Sequence, residues 1–324
     1  MRLYEPPMAL DNRFQASMMH TDTTALIHTI DFLLMIPYPK KSAKLIMGNP
    51  LWRRLSLILI SFLIALPLYA TPKQDQAAFR KHYQLVFPQL KLADYANGVY
   101  AIDEIARQSW LAIEEFPPYE TAIEEGKKLF NTAFSNGKHY AHCFPNKGIA
   151  DEYPKWSKTQ GEVITLAIAI NNCRTSQHEP ALPYEKADMV NLLAYLSHTS
   201  RGKPIHVTIP KNDPRAMSAY EQGKAFYYQR QGQLNFSCAT CHIQNAGKKL
   251  RSEILSASLG HTSNWPTYRL KWGEIGSLHR RFAECLTQIK AEPLPEQSVE
   301  FRNLEYFLSY MGNGIPISGP STRK

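Results

Sequence analysis

Residues 235–242 read Asn-Phe-Ser-Cys-Ala-Thr-Cys-His, and this stretch determines the fold that we expect. Two thiols, Cys238 and Cys241, lie three residues apart and are followed directly by His242. Thiols at this spacing can reach the two vinyl groups of a haem, while the adjacent imidazole supplies a nitrogen ligand to the iron. The motif therefore predicts one covalently attached haem c, held by Cys238, Cys241 and His242.

Cys-x-x-Cys pairs also occur in zinc sites and in redox dithiols. A zinc site of the common four-cysteine type needs a second Cys-x-x-Cys, and the sequence contains none. A thioredoxin-like dithiol is expected in a βαβ unit, whereas the sequence on either side is typical of helices with Pro- and Gly-rich connections. Haem attachment fits the sequence better than either alternative.

The sequence around this motif repeats itself at an offset of 112 residues. Eight residues recur at that offset without a gap: Pro154/Pro266, Gly161/Gly273, Glu162/Glu274, Cys173/Cys285, Asn191/Asn303, Gly202/Gly314, Pro204/Pro316 and Ile205/Ile317. Upstream of this block, residues 124–143 resemble residues 220–238. The pattern indicates a tandem pair of related units rather than a solenoid.

Each unit has the order of elements of the small cytochrome c fold. A short helix is followed by a Cys-containing turn, a Pro-rich segment and a second Cys, and an aromatic- and Leu-rich helix closes the unit. In the second unit, Leu304, Leu308 and Met311 share one face of this closing helix. We predict an all-α protein with two tandem cytochrome c-like domains, of which 71–210 lacks haem and 211–324 binds it.

The fifth cysteine, Cys285, has no partner of its own in the second unit. Arg281 lies four residues before it, on the same face if the stretch is helical. A guanidinium there would stabilise the thiolate, which is the form that binds metals and attacks sulfur. A buried, inert Cys285 beside an unrelated surface arginine is the alternative. His261 and His279 are further possible iron ligands without a distinctive context, and Met311 is expected to pack in the core.

The first unit keeps two cysteines, Cys143 and Cys173, but has no Cys-x-x-Cys-His motif. Cys143 falls in the region equivalent to the haem attachment, and Cys173 is equivalent to Cys285. Without iron between them, these two cysteines could form a disulfide. With 30 residues between them, the chain-entropy model gives such a bond a stabilisation of roughly 3.5–4 kcal/mol. Two free thiols in a domain held by packing alone are the alternative.

Residues 47–70 have the pattern of a signal peptide. A basic pair precedes an apolar run of about 13 residues, and small residues indicate cleavage after Ala70. The run is short for a membrane span, which needs roughly 20 residues, although an uncleaved anchor is the alternative. Because 1–46 precede this signal, we expect that translation starts at Met47, that the protein is exported to the periplasm, and that it keeps no stable membrane span.

The chain is mildly basic, with a net charge of +9. Such a balance suits an anionic small substrate or an acidic protein partner. The basic residues are scattered, and the sequence contains neither a basic arm nor a nucleic-acid-binding motif. We therefore expect no binding to nucleic acid.

Three stretches of the second unit resemble SoxA, the family of catalytic cytochromes in the SoxXA complexes of sulfur-oxidising bacteria: GQLNFSCATCHIQNAGKKLR, WPTYRLKWGEIGSLHRRFAEC and EFRNLEYFLSYMGNGIPI. In the first unit, SNGKHYAHCFPNKGIADEYPKW and GEVITLAIAINNC are similar to its single-haem members. The resemblance spans about 120–324. Di-haem members carry a further Cys-x-x-Cys-His in the first domain, which this chain lacks.

The resemblance implies an L-cysteine S-thiosulfotransferase, which oxidatively joins thiosulfate to a cysteine of the carrier protein SoxYZ. Two electrons would leave through the haem to a SoxX-like small cytochrome c partner. By the same resemblance, Cys285 is the distal haem ligand and the catalytic sulfur, modified to a persulfide, and Arg281 is the active-site arginine. Weaker candidates for binding thiosulfate are Arg280, Arg269 and Lys271, each of which could equally belong to a solvated basic face.

Two other functions are compatible with a haem protein of this kind. A thiosulfate dehydrogenase also places Cys on haem but couples two thiosulfates, and such enzymes generally carry two haems. A non-enzymatic periplasmic electron carrier would have a Met or His as the distal ligand and would not be reduced by thiosulfate. The sulfur transferase fits the motifs of the chain best.

Overall fold

The computed structural model describes residues 70–146 and 148–324. The predicted start of translation at Met47, the segment 1–46 before it and nearly all of the signal peptide lie outside these residues. Within them, the structure contains no helix with the length and apolar composition that crossing a membrane requires.

Residues 79–324 form one compact unit, which contains both copies of the sequence repeat. Of the residues before it, Pro72–Ala78 form the beginning of a helix. The division of the repeats into domains 71–210 and 211–324 stays a prediction.

The described residues are mostly helical, as predicted, with a few short strands. The helices are α1 (Pro72–Val86), α2 (Glu104–Glu114), α3 (Glu120–Asn131), α4 (Leu166–Ser176), α5 (Ala187–His198), α6 (Pro214–Tyr228), α7 (Cys238–His242), α8 (Leu278–Gln288) and α9 (Val299–Met311). Shorter 3₁₀ segments cover Leu92–Ala101, Tyr140–His142 and Ala150–Glu152. The strands are β1 (Lys155–Ser157), β2 (Glu162–Ile164), β3 (Lys249–Leu250), β4 (Glu253–Ile254), β5 (Thr267–Arg269), β6 (Glu274–Gly276) and β7 (Ser321–Arg323). Strands of two or three residues are too short for a period of two to reveal them in the sequence.

The structure confirms the repeat at its offset of 112 residues. The antiparallel hairpins β1–β2 and β5–β6 begin and end at equivalent positions, and so do the starts of α4 and α8 and of α5 and α9. Both hairpin turns contain a glycine with positive φ, 71° at Gly161 and 69° at Gly273. Thr165 and Ser277, which are also equivalent, cap the following helices by accepting a backbone hydrogen bond.

In each repeat the first helix crosses the last at a glycine. A Cβ atom built on Gly126 of α3 would lie 1.9 Å from the carbonyl oxygen of Asn191 in α5. A Cβ on Gly223 of α6 would lie at the same distance, 1.9 Å, from the carbonyl oxygen of Asn303 in α9. The absence of a side chain thus allows the two backbones to touch where the first and last helices of each repeat cross.

Side chains of α9 form the core beside the second crossing. Leu304, Leu308 and Met311 are buried, which confirms their predicted shared face. Phe307, on the same helix, packs edge to face against Phe79 of α1, with 6.3 Å between ring centroids. The latter part of α1 therefore belongs to the core of the haem-motif repeat.

The ends of the two repeats pair with each other through equivalent residues. Pro204 and Pro316 form an antiparallel bridge. The amide of Gly202 donates to the carbonyl of Ile317 at 2.9 Å, and the equivalent amide of Gly314 donates to the carbonyl of Ile205, also at 2.9 Å. The two repeats are therefore related here by a local two-fold axis.

The second hairpin has a third strand that the first hairpin lacks. The C-terminal strand β7 pairs in parallel with β5, and Arg269 lies opposite Arg323. The buried guanidinium of Arg323 lies 4.9 Å from the ring centroid of Tyr100 and 5.9 Å from that of Trp110. This contact anchors the hairpin that carries Arg269 and Lys271 to the segment before the first repeat.

We predict that Gly223→Ala destabilises the protein by about 1–3 kcal/mol, because its Cβ would meet a backbone oxygen that cannot move without separating α6 from α9. Gly312→Ala is the matched control, since the nearest atoms to its Cβ lie at 3.5 Å, an ordinary contact. Thermal unfolding of the purified protein measures both changes. Equal melting temperatures for the two variants would contradict the crossing.

Candidate active site

The Cys-x-x-Cys-His motif forms its own short helix, α7. Ser237 precedes the helix, and its hydroxyl accepts a hydrogen bond of 3.1 Å from the amide of Thr240. In return, the amide of Ser237 donates to the hydroxyl of Thr240, also at 3.1 Å. This reciprocal cap fixes the first turn, so Cys238 and Cys241 are presented on one helical turn with His242 at its end.

A hydrogen bond determines which nitrogen of His242 is free. Its Nδ1 lies 2.9 Å from the carbonyl oxygen of Ser256. A carbonyl only accepts, so Nδ1 carries the proton and Nε2 keeps its lone pair. Burial lowers the pKa of His242 to about 4, against the smaller opposing effect of the Ser256 carbonyl, so the ring is neutral at pH 7. A neutral imidazole with a free Nε2 is the form that ligates iron.

The backbone of His242 is held by a buried tyrosine from α1. The Tyr83 hydroxyl donates to the carbonyl of His242 at 2.6 Å and accepts from the amide of Ser258 at 3.0 Å. Tyr83 therefore ties the motif helix to the segment that contains Ser256, the partner of the imidazole.

His261 lies on the same side of the site as His242. The two rings meet edge to face, with 4.4 Å between their centroids. The Nε2 of His261 is 2.9 Å from the hydroxyl of Ser256, whose carbonyl binds His242. Its contacts make His261 a support for the proximal ring.

His279, the other histidine predicted as a possible ligand, has other partners. The Nδ1 of His279 accepts from the amide of Gln297 at 2.9 Å, and its Nε2 lies 2.9 Å from Glu305. Met311 is buried in the core, as predicted.

Cys285 lies on α8, close to the thiols of α7. Burial raises the pKa of Cys238 to about 12, and the nearby charge of Cys285 adds to this effect. The pKa of Cys241 is raised by the same two causes, while Arg281 opposes them. The structure thus brings Cys285 and Arg281 together with the haem-attachment motif, although Cys285 is 43 residues beyond His242 in the chain.

Arg281 is bound on one side by an acidic residue. Its Nη1 donates to Glu284 at 2.8 Å, and the Arg281 side chain is 21% exposed. Burial acts to lower the pKa of Arg281, but the charges of Cys285 and Glu284 outweigh it and raise the pKa overall. The guanidinium therefore stays charged beside the sulfur.

Lys271 and Arg269, two of the weaker candidates, reach the same cluster. Lys271 donates to the carboxylate of Glu284. Arg269 is only 8% exposed, and within the described residues its Nε has no hydrogen-bond partner. Burial and the charge of Arg281 lower the pKa of Arg269, whereas Glu284 and Cys285 act to raise it.

Arg280, the third weaker candidate, is engaged elsewhere. Its guanidinium lies 4.4 Å from the ring centroid of Trp272, and its Nη1 donates to Glu274 at 2.8 Å. The cation–π contact and the ion pair direct Arg280 along the outside of the β5–β6 hairpin. It remains the weakest of the four basic candidates.

In the first repeat, Cys143 and Cys173 form a disulfide, with 5.9 Å between their Cα atoms. Cys173 lies on α4, equivalent to α8, and Cys143 directly follows a 3₁₀ segment, at the position equivalent to Cys238 at the start of α7. The bond thus joins the two elements that carry the haem motif and Cys285 in the second repeat.

Comparison with known proteins agrees with this geometry. Residues 125–205, which lie in the repeat without the haem motif, match the family model described as SoxA/TsdA, cytochrome c domain. The L-cysteine S-thiosulfotransferase subunit SoxA of Allochromatium vinosum is 52% identical over 256 residues, covering 79% of this chain and 91% of that protein. The chain belongs to the SoxA family.

Other SoxA proteins show similar coverage. The L-cysteine S-thiosulfotransferase subunit SoxA of Chlorobaculum tepidum is 47% identical, over 77% of this chain and 87% of that protein. A chain of the crystal structure of SoxXA from P. pantotrophus superimposes with a TM-score of 0.61 at 30% identity, covering 67% of this chain and 84% of that one. A SoxA protein with a cytochrome c domain is a haem c protein, and α7 fits this cofactor: both thiols are free and His242 presents a neutral Nε2.

Sequence patterns did not reveal Tyr83, Ser256 or Glu284. Tyr83 and Ser256 act on or through backbone carbonyls, which carry no signal in a sequence. Glu284 is adjacent to Cys285, but its partner Lys271 lies 13 residues earlier, across a hairpin.

We predict that Tyr83→Phe destabilises the haem-loaded protein by about 1–3 kcal/mol, because it leaves the buried amide of Ser258 and the carbonyl of His242 without their partner. Tyr95→Phe is the control, since the Tyr95 hydroxyl makes one longer bond, of 3.3 Å, to the carbonyl of Tyr83. Urea unfolding followed by haem absorbance compares them. An equal loss in both variants would refute the role given to Tyr83.

Proposed function

We propose that this protein is the SoxA subunit of a periplasmic L-cysteine S-thiosulfotransferase, which joins thiosulfate to a cysteine of the carrier protein SoxYZ. The observation that carries the proposal is the juxtaposition of Cys285 and Arg281 with the Cys238–His242 helix. The names of the relatives support the activity, and the similarity to a chain of the SoxXA crystal structure supports a small SoxX-like cytochrome c partner.

Cys238, Cys241 and His242 would hold one haem c per chain, and Cys285 would supply the second protein ligand to its iron. The Cys143–Cys173 bond and the missing motif support a first repeat without haem. A haem bound there would supply a one-electron acceptor, so the two electrons of the reaction would leave one after the other towards the partner cytochrome.

The reaction joins two sulfur anions and releases two electrons. The carrier thiolate and the outer sulfur of thiosulfate form an S–S bond, which gives a carrier-bound S–S–SO₃⁻ group, and the proton of the carrier thiol goes to solvent. Arg281, Arg269 and Lys271 neutralise the sulfonate oxygens, and two like-charged anions can then approach each other. In this scheme the persulfide of Cys285 first forms an S–S bond with the outer sulfur of thiosulfate, and the two electrons leave towards the partner cytochrome. The carrier thiolate then attacks that outer sulfur, takes over the S–SO₃⁻ group and releases the Cys285 persulfide, as in thiol–disulfide exchange.

Export to the periplasm is supported by the signal-peptide pattern of 47–70. A disulfide between Cys143 and Cys173 is the bond that an oxidising compartment allows. Both observations agree with covalent haem attachment, which the same compartment provides.

Replacing Cys285 with Ala should abolish thiosulfate-dependent turnover with SoxYZ and leave the haem attached, because Cys238 and Cys241 are separate residues on α7. Haem stoichiometry should be one per chain in the native protein and in the Cys285→Ala variant. Peptide mass analysis without reductant should find an extra sulfur on Cys285 of the native protein. Retained turnover in Cys285→Ala would refute the assignment. A stoichiometry of two would refute the haem-free first repeat.

Arg281→Lys should raise the KM for thiosulfate about tenfold, since a lysine cannot make the two-pronged contact of a guanidinium with a sulfonate. Arg280→Lys is the matched control on the same helix, and its effect should be much smaller because Arg280 is engaged by Glu274 and Trp272. Steady-state kinetics at fixed SoxYZ concentration measures both. Equal effects would show that Arg281 has no special role.

A further inference from the structure

Glu284 binds two of the cations that are proposed to bind the substrate anion, Arg281 and Lys271. Its carboxylate accepts hydrogen bonds from Arg281, at 2.8 Å, and from Lys271, and it is 15% exposed. It directly precedes Cys285 in α8. The two cations that are proposed to bind thiosulfate are therefore already neutralised in part by a group of the protein.

The cluster keeps an unused hydrogen-bond donor even with Glu284 in place. Arg269, Lys271 and Arg281 supply three cations, and Arg269 keeps an Nε without a hydrogen-bond partner among the described residues. Glu253 also acts electrostatically on Arg269 and Arg281, although it forms no hydrogen bond with either in the described residues. The Nε of Arg269 is therefore a donor that remains available to an incoming anion.

We propose that Glu284 is an internal competitor that sets the anion specificity of this site, an inference that rests on the proposed function. Thiosulfate carries two negative charges and displaces the single carboxylate from Arg281 and Lys271. The product group on the carrier, S–S–SO₃⁻, carries one charge, so Glu284 competes with it on equal terms. The same carboxylate thus admits dianions, disfavours monoanions and promotes release of the product.

A purely structural role would have the opposite consequence. If Glu284 only orients Arg281, then Glu284→Gln disturbs the arginine and weakens anion binding. If Glu284 competes, the same substitution removes the negative charge, retains a hydrogen-bond acceptor of nearly the same shape, and strengthens anion binding. Binding affinity therefore separates the two roles by its direction.

The test uses sulfate, a dianion that the enzyme cannot oxidise. Calorimetric titration of oxidised, haem-loaded SoxXA complex should show sulfate bound about fivefold more tightly in Glu284→Gln than in the native protein. The KM for thiosulfate should fall by a similar factor, and kcat should fall with it because the monoanionic product leaves more slowly. An unchanged haem spectrum confirms that the variant is folded.

Glu274→Gln is the matched control. It removes an equal charge from the neighbouring strand β6, where the carboxylate pairs with Arg280, not with Arg281 or Lys271. Its sulfate affinity should stay within twofold of the native value. Unchanged or weaker sulfate binding in Glu284→Gln, or an equal gain in Glu274→Gln, would overturn the inference. Sulfate titration does not depend on turnover, so failure of the proposed function would appear separately, as native protein that binds sulfate but does not transfer thiosulfate.

Discussion

The contact on which the second repeat depends is the approach of two helix backbones at Gly223. With no side chain between them, α6 and α9 touch through the carbonyl of Asn303. This contact sets the distance between the start and the end of the repeat, and α7 and α8 are held within that frame. Because the haem-attachment helix is only five residues long, it has little stability of its own and takes its position from the surrounding packing.

A second constraint links α1 to the proximal imidazole. Tyr83 binds the carbonyl of His242 and the amide of Ser258, while Ser256 binds the imidazole itself. Three bonds thus orient one ring through residues that lie far apart in the chain. An imidazole held through both its backbone and its side chain has a fixed orientation and a fixed tautomer, which is what a preorganised metal ligand requires.

The sequence was sufficient to predict the repeat, the helical class and the haem-attachment motif, because helical periodicity and cysteine spacing are local properties. It also predicted that Arg281 would lie one turn from Cys285. The short hairpins were not predicted, since two or three residues show no periodicity. Glu284, Tyr83 and Ser256 were missed for a different reason: their roles depend on contacts across the fold, and two of them involve backbone groups that every residue possesses.

The pairing of residues 202–205 with residues 314–317 has the geometry of an isologous interface, in which one surface meets its own copy across a two-fold axis. In a homodimer both copies come from one gene, so any substitution appears on both sides at once. Here the two copies are encoded separately within one chain. Each repeat can therefore change independently of the other. The first has a Cys143–Cys173 disulfide where the second has the haem motif and Cys285, an asymmetry that a homodimer cannot acquire.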